Sequence, residues 1–226
     1  MVFDMDDLVE EKIDMTRAKQ LIRNYQLISF DIFDTLILRS VDKPTDIFKK
    51  IEEESSAEGF ASARIDAERK TRIVHKGNED VTLDQIYEEI DDVFEPLKIA
   101  ELQAEEKYTY ANKLVFELYD YAHSIGKSVV ICSDMYLPKD YLEKLLVSKN
   151  YNKGDELFVS SHELKSKASG SLFRHLIVQT GIAPKDILHI GDNVITDGNA
   201  VKCGMGFIRI KYGQMLFVIS PKSQYK

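Results

Sequence analysis

The chain has 226 residues, so it is long enough for one sizeable core plus an inserted subdomain. Its formal net charge is -8. The charged residues form no basic cluster, which argues against a surface for nucleic acid or for an anionic membrane. The first fifteen residues are acidic without an apolar signal core, and no apolar run approaches the roughly 18 residues of a spanning helix. These features predict a cytoplasmic protein with no nucleic-acid or membrane partner.

The first half of the chain changes from a mixed pattern to a helical one. Apolar residues at helical spacing between 18 and 25 predict a short helix ahead of a first strand at about 27–31. From about 40 to 125 the apolar spacing is helical throughout, and Thr82 with Gln85 fits a capping box. The last helical stretch of this insert runs from about 97 to 123 and ends near Gly126.

The second half alternates strands with helices. Strands are predicted near 128–133, 157–160, 187–190 and 206–210, helices near 138–149, 169–180 and 194–203, and a surface loop at 149–155. Such alternation is typical of a parallel sheet that is covered on both faces. The sequence therefore predicts an α/β fold, with a Rossmann-like core of residues 1–39 and 126–226 and an inserted all-α-helical subdomain of residues 40–125.

Two cysteines are too few for a disulfide framework. Cys132 lies in a predicted buried strand and Cys203 ends a predicted helix. We expect both to be reduced packing residues. His189, inside a predicted core strand, is expected to be an interior residue with its polar atoms satisfied.

Three predicted strands end in polar side chains. The first ends in Asp31, the second in Ser133 and Asp134, and the third in Asp192, with Asp197 five residues further on. In doubly wound sheets, ligands bind beyond the carboxyl ends of the strands, near the point where the strand order reverses. We therefore expect these side chains to share one site.

A cation is expected at this site. Two carboxylates 4 Å apart repel by roughly 4 kcal/mol at an effective dielectric constant near 20, so Asp31, Asp192 and Asp197 would not converge comfortably without positive charge. Oxygen ligands alone are the set that Mg²⁺ prefers. The sequence therefore predicts Mg²⁺ as the cofactor.

The ordered set of motifs resembles the haloacid dehalogenase (HAD) superfamily. The first motif corresponds to Asp31-Ile32-Phe33-Asp34-Thr35, the second to Ser133, the third to Lys167 ahead of Gly170 to Phe173, and the fourth to Gly191-Asp192 through Asp197. The insert between the first two motifs resembles a helical cap of the C1 type. Each motif alone is weakly specific, but the ordered set spans nearly the whole chain.

This resemblance implies a role for each matching residue. Asp31 would be the nucleophile that forms a covalent aspartyl intermediate, Ser133 would hydrogen-bond the transferring group, and Lys167 would neutralise negative charge. Asp31, the carbonyl of Phe33, Asp192 and Asp197 would bind Mg²⁺. Lys165, two residues before Lys167, is the alternative for the third motif.

The resemblance also implies a small phosphorylated substrate beneath the cap. Ser133, Asp134 and the arginines Arg39 and Arg64 are the candidates for substrate contacts, with Arg69 as a further one. Arginines on helices are more often solvated surface charges, which is the alternative interpretation.

One position departs from the pattern of HAD phosphatases. Most of them carry a second aspartate two residues after the nucleophile, which protonates the leaving oxygen and later activates water; here that residue is Phe33. Losing a positioned acid/base typically costs about 10²- to 10⁴-fold in rate. Asp34 is the candidate replacement if the turn directs it inward, and otherwise it would hydrogen-bond the turn.

Three functions therefore compete. The first is a Mg²⁺-dependent phosphatase, and the second is a module that binds or senses a phosphorylated ligand with weak or no hydrolysis. The third is a dehalogenase, because dehalogenases of this superfamily have an aromatic residue at the Phe33 position. The retained Asp192 and Asp197 favour phosphoryl chemistry over dehalogenation.

The run from Ser29 to Leu36 also resembles predicted bacterial hydrolases, some of which are joined to sugar-transferring proteins of surface-polysaccharide synthesis. This resemblance implies an association with polysaccharide-synthesis proteins.

Overall fold

A seven-stranded sheet forms the centre of the computed structural model, which describes residues 9–151, 155–211 and 213–219. The strands in chain order are β1 Val9–Ile13, β2 Leu27–Phe30, β3 Ile37–Arg39, β4 Thr109–Ala111, β5 Ser128–Ser133, β6 Glu156–Val159, β7 Ile187–Gly191, β8 Gly206–Lys211 and β9 Gln214–Ile219. The sheet order is β1-β9-β8-β7-β2-β5-β6, and β3 pairs with β4 in a separate two-stranded ribbon. The strands β8, β7, β2, β5 and β6 run parallel, whereas β9 pairs antiparallel with β8, and β1 pairs antiparallel with β9.

The strand that carries the first motif lies in the middle of this sheet. All four residues of β2 are buried, and β2 pairs in parallel with β5 on one side and β7 on the other. Apolar residues on both faces of a strand are expected when helices cover both faces of a parallel sheet. The predicted central position of this strand, between those that end at Ser133 and Asp192, is confirmed.

The α-helices cover both faces of the sheet or lie in the inserted segment. They are α1 Met15–Asn24, α2 Asp46–Ser55, α3 Phe60–Val74, α4 Leu83–Glu88, α5 Leu97–Lys107, α6 Lys113–Ser124, α7 Lys139–Ser148, α8 Ser160–Glu163, α9 Ser171–Thr180 and α10 Asn199–Lys202. One core cluster joins apolar residues of α1, α6 and α7 to one face, and a second joins α9 and α10 to the other. Alternate residues of β2 divide between them, since Ile28 belongs to the first and Leu27 to the second.

The inserted segment contains α2 to α5, and we call these helices with their loops the cap. The predicted capping box at Thr82 and Gln85 is present at the start of α4. Residues 109–124 differ from the expected all-helical insert of residues 40–125. Residues 109–111 form β4 against β3, and α6 packs on α1 and β5. Helical spacing located the apolar face of α6, but spacing alone does not identify the body on which a face packs.

The remaining differences lie at short or edge elements. The helix expected at 194–203 is reduced to α10, because residues 192–198 turn around Asp197. The antiparallel strands β1 and β9 were not predicted. Residues 152–154 of the predicted loop at 149–155, and residues 1–8 of the acidic start, lie outside the described residues. Within the described ranges, no helix is both long enough and apolar enough to span a membrane.

Candidate active site

Three carboxylates from two strand ends converge at the carboxyl edge of the sheet. One oxygen each of Asp31, Asp192 and Asp197 lies within 4.8 Å of the others. Asp31 directly follows β2, and its backbone N–H extends the pairing by donating to the carbonyl of Ile190 at 2.9 Å. The sheet therefore brings together the acidic residues that the sequence predicted to share a site.

Asp31 is buried and is bound at one oxygen only. Its Oδ1 accepts hydrogen bonds from Ser133 Oγ at 2.9 Å and from Lys167 Nζ at 2.6 Å. Oδ2 accepts no hydrogen bond from the residues that the structure describes. Burial raises the pKa of Asp31, and the Lys167 ammonium offsets part of this rise. One oxygen is thus fixed in place while the other stays available for chemistry.

Asp197 is the most enclosed of the three carboxylates. Its Oδ1 lies 2.5 Å from Lys167 Nζ and 2.9 Å from His189 Nε2, and its Oδ2 accepts from the backbone of Asn193 at 2.9 Å. Burial alone would raise the pKa of Asp197, but Lys167 and His189 hold it well below its usual range. Asp197 therefore stays ionised.

His189 is buried, as expected of an interior residue, and both of its ring nitrogens have partners. Nδ1 lies 3.0 Å from Ser29 Oγ on the neighbouring strand, and Nε2 contacts Asp197. The sequence indicated a packed histidine, but not that it would support a site carboxylate. Its position two residues before the glycine of the fourth motif was the available signal.

Gly191 is required for Asp197 to fold back over the end of β7. A Cβ at position 191 would lie 2.4 Å from Asp197 Cγ and 2.9 Å from its Cβ. Carbon atoms do not approach this closely, so only glycine admits the carboxylate here. This contact explains why a glycine precedes Asp192 at this strand end.

The charge of the site favours a divalent cation. Asp192 is half-buried, and burial together with the charges of Asp31, Asp197 and Asp34 raises its pKa to about 7. If all three carboxylates were ionised, the one Lys167 ammonium would leave two negative charges uncompensated, which is why Asp192 holds its proton up to about pH 7 without a further cation. Carboxylate oxygens at this spacing fit Mg²⁺, which would allow Asp192 to ionise fully.

The loop that carries Lys167 is held from two sides of the core. The carboxylate of Asp134 accepts from the backbone N–H of Lys167 at 2.7 Å and of Ala168 at 3.3 Å. The side-chain amide of Asn199 donates to the carbonyls of both residues, at 2.9 and 2.8 Å. Asp134, a predicted substrate ligand, therefore braces this loop, and burial raises its pKa to about 6. Asn199 was not among the predicted site residues, because it fell in the interior of the helix predicted at 194–203 and belonged to none of the recognised motifs.

Of the two lysines considered for the third motif, the structure places Lys167 at the carboxylates. Lys165 Nζ instead donates to the carbonyl of Glu163 at 3.2 Å. The ammonium of Lys167 is buried, and its pKa is well above its usual range: burial would lower it, but Asp197 and Asp31 outweigh this effect. Lys167 is therefore charged.

The turn after Asp31 separates Phe33 from Asp34. Asp34 has a left-handed backbone, with φ of 57°, which aspartate tolerates better than most residues, and half of its side chain is exposed. Phe33 is buried, and the guanidinium of Arg39 lies 4.0 Å above its ring. Asp34 Oδ2 lies 3.5 Å from the same guanidinium. The turn thus directs Asp34 toward solvent beside Arg39 rather than into hydrogen-bond contact with Asp31.

Arg39 occupies the junction between the first-motif turn and the cap. Its side chain is only 6% exposed, and its Nε lies 3.5 Å from Oε2 of Glu105 on α5. Neither of these two atoms has a hydrogen-bond partner among the described residues. Arg39 is therefore close to the site entrance, and its role in substrate binding stays a prediction.

The structure does not bring Arg64 or Arg69 to the carboxylates. Arg64 is fully buried within the cap, where it forms two bonds of 2.7 and 2.8 Å to Glu101 and lies 4.7 Å above the ring of Phe48. Arg69 is 73% exposed and pairs with Asp66 on its own helix. The prediction of Arg64 as a substrate ligand is corrected here, since no part of its side chain is open to a ligand. Sequence spacing gave no means of separating a buried cap arginine from a substrate ligand.

A cleft lies between the cap and the core loops, beside Asp134. Its volume is about 280 Å³, and its walls include Glu68 and Asp80 of the cap, Tyr136 of the core, and a single basic residue, Arg72. A cleft of this volume lies near the lower end of the range for small-molecule pockets.

No protein-family model matches this chain, and neither does any curated protein. Solved structures do resemble it. A HAD family enzyme of Bacteroides thetaiotaomicron is 16% identical with a TM-score of 0.58, over 90% of this chain and 99% of that one. The same enzyme is also known in complex with magnesium and inorganic phosphate.

Two further structures show the same likeness. An L-2-haloacid dehalogenase of Xanthobacter autotrophicus is 14% identical with a TM-score of 0.57, over 82% of this chain and 77% of that one. A predicted phosphoglycolate phosphatase of Haemophilus somnus is 15% identical with a TM-score of 0.57, over 84% and 87%. The chain therefore has the fold of HAD family enzymes, a Rossmann-like α/β core with a helical cap.

Proposed function

We propose that this protein is a Mg²⁺-dependent hydrolase of the HAD superfamily that removes the phosphoryl group from a small phosphorylated metabolite. One observation carries the proposal: Asp31 Oδ1 is held by Ser133 and Lys167, while Oδ2 is left without a hydrogen bond from the described residues. One oxygen of this carboxylate also lies within 4.8 Å of an oxygen each of Asp192 and Asp197. A carboxylate with one fixed and one free oxygen, next to compensating positive charge, is suited to nucleophilic attack on phosphorus.

The reaction follows from these positions. Asp31 attacks the phosphorus, and the bond to the ester oxygen breaks with its electron pair on the leaving alcohol. Lys167 and the hydroxyl of Ser133 stabilise charge on the transferring group. Water then attacks the aspartyl phosphate, which releases inorganic phosphate and regenerates Asp31. A bound Mg²⁺, held by Asp31, Asp192 and Asp197, would supply charge neutralisation.

We assign the proton transfers to Asp34. Phe33 has no proton to give, and Asp34 is the carboxylate at the entrance whose charge contributes to the raised pKa of Asp192. In the first step Asp34 would protonate the leaving oxygen, and in the second it would take a proton from water. The guanidinium of Arg39, 3.5 Å from Asp34 Oδ2, would orient this carboxylate.

Dehalogenation is the second candidate, and Phe33 is the observation that favours it. A dehalogenase is among the structural neighbours. The resemblance of the first motif implies that dehalogenases carry an aromatic residue at this position. The convergence of Asp31, Asp192 and Asp197 weighs against it, because three neighbouring carboxylates that are buried or half-buried can all ionise only at a high cost unless a cation binds. Phosphoryl chemistry uses that cation.

The test is a panel of phosphate monoesters, assayed for inorganic phosphate release with MgCl₂ and with EDTA. We expect turnover that requires Mg²⁺ and is lost in Asp31→Asn. Halide release from 2-haloacids without metal would replace the proposal with dehalogenation. Tight binding of orthovanadate with no turnover of any ester would instead indicate a module that binds phosphorylated ligands.

A further inference from the structure

The cap contacts the loop that carries Lys167 through a single carboxylate. Oε2 of Glu79, in the cap loop between α3 and α4, accepts hydrogen bonds from the backbone N–H of Ser166 at 2.8 Å and from its Oγ at 3.0 Å. The hydroxyls of Ser169 and Ser171 donate to the same oxygen. One cap residue thus binds three serines that surround Lys167.

These bonds suit an ionised carboxylate. Charge-assisted hydrogen bonds are about twice as strong as neutral ones. Burial would raise the pKa of Glu79, but the bonds from Ser169, Ser171 and Ser166 lower it to about 2. Glu79 is therefore charged at neutral pH and binds all three serines together.

Two successive backbone amides of this loop are bound, one by the cap and the other by the core. The N–H of Ser166 donates to Glu79 of the cap, and the N–H of Lys167 donates to Asp134 of the core. The Lys167 ammonium at the end of this segment reaches Asp31 at 2.6 Å. Its placement thus depends on both carboxylates.

Neighbouring contacts show that this part of the cap is docked on the core. Asp80, next to Glu79, accepts a hydrogen bond from Ser160 at the end of β6. The N–H of Leu83 donates to the carbonyl of Tyr136, in the loop after β5, at 2.9 Å. Residues 79–83 therefore contact the loops that follow β5 and β6 and the loop before α9, all at the carboxyl edge of the sheet.

We propose that Glu79 is a positioning residue that couples cap docking to the placement of Lys167. When the cap is docked, Glu79 fixes the segment 166–171 and with it the ammonium that neutralises charge at Asp31. When the cap lifts, that segment keeps its bonds to Asp134 and Asn199 but loses those to Glu79. The effect on catalysis rests on the proposed phosphatase function. The hydrogen bonds from the three serines to Glu79, which we call the clamp, do not depend on that function.

The experiment compares Glu79→Ala and Glu79→Gln with the wild-type chain. Glu88→Ala is the matched control, because Glu88 is an exposed acid of the same cap whose side chain has no hydrogen bond or ion pair among the described residues. Hydrogen exchange of residues 163–171 reports the clamp without any need for activity. Steady-state hydrolysis of an aryl phosphate with MgCl₂ reports the placement of Lys167.

We expect Glu79→Ala to speed exchange in this segment and to lower kcat by about 10- to 100-fold, the range that a small misplacement of a catalytic group costs. KM should change less than kcat, since the lost interaction acts in the transition state. Glu79→Gln keeps one oxygen acceptor and should retain more activity than Glu79→Ala. Glu88→Ala should match the wild type in both measurements.

A double-mutant cycle separates positioning from a general loss of structure. If Glu79 acts through Lys167, adding Glu79→Ala to Lys167→Met should cause no further loss in kcat. Additive losses, or wild-type exchange in Glu79→Ala, would overturn the inference. Should the wild-type chain lack phosphatase activity, the proposed function fails, and the exchange measurement alone decides whether the clamp exists.

Discussion

Replacing Gly191 with alanine tests whether the strand ends converge as described. The new Cβ would lie 2.4 Å from Asp197 Cγ, so the carboxylate must move by roughly 1 Å to restore ordinary contact. Overpacking costs about 1–3 kcal/mol. The same shift stretches the bonds from Asp197 to Lys167 and His189, and full loss of a buried ion pair costs about 3–5 kcal/mol. We expect Gly191→Ala to lower the free energy of unfolding by about 3 kcal/mol.

Urea denaturation measures this change, with Gly77→Ala as the control. Gly77 lies in a turn of the cap and does not have positive φ, and a Cβ added there would meet no atom within 4 Å. Its substitution should leave stability within about 0.5 kcal/mol of the wild type. Equal stabilities for Gly191→Ala and Gly77→Ala would show that Asp197 does not pack over Gly191, and the described site would then be incorrect.

Three further predictions concern side chains of the site and the cap. Lys167→Met should lower kcat for an aryl phosphate by about 10²- to 10³-fold, whereas Lys165→Met should leave kcat unchanged. Equal losses in the two variants would refute the assignment of Lys167 to the third motif. Asp34→Asn should slow the first step, release of the leaving group, by about 10²-fold for an alkyl phosphate but barely for an aryl phosphate, because only the poor leaving group needs protonation. The burst of leaving group in a rapid-mixing assay measures this step, and parallel losses in it would exclude the acid role. Arg64→Met should destabilise the chain by about 3–5 kcal/mol in urea, since Glu101 is left buried without its cation, whereas a change at Arg69 should be neutral.

Much of the core could be predicted because turn residues bound the predicted strands and polar motif residues follow three of them. The run from Leu27 to Phe30 is apolar on both faces, which is typical of a central parallel strand, and its neighbours end in Ser133 and Gly191. Parallel pairing brings these ends to one edge whatever the details of packing. The convergence of Asp31 with Asp192 follows from that rule.

The cap could not be predicted to the same depth, because its side chains act through contacts that are distant in sequence. Arg64 and Glu101 are 37 residues apart, and the serines that bind Glu79 are separated from it by 87 to 92 residues. No spacing rule identifies such pairs. The edge strand β1 is short and four of its five residues are exposed, so its composition resembles that of a loop.

The turn at Phe33 explains why the position of the Asp34 carboxylate was hard to predict from sequence. In an extended strand, Asp34 would point away from the side on which Phe33 lies. The left-handed backbone at Asp34 breaks that alternation and places its carboxylate beside Arg39. Backbone conformation at a single residue thus decides where the charge lies.

Capture of the covalent intermediate tests the central claim most directly. The Asp34→Asn variant, in which the second step should be slow, is incubated with an aryl phosphate and MgCl₂, quenched in acid and examined by peptide mass spectrometry. We predict one phosphoryl group on the peptide that contains Asp31, and none when Asp31 is replaced by asparagine or when EDTA is present. Phosphate release without any modified Asp31 peptide, or a phosphoryl group on another residue, would contradict the account.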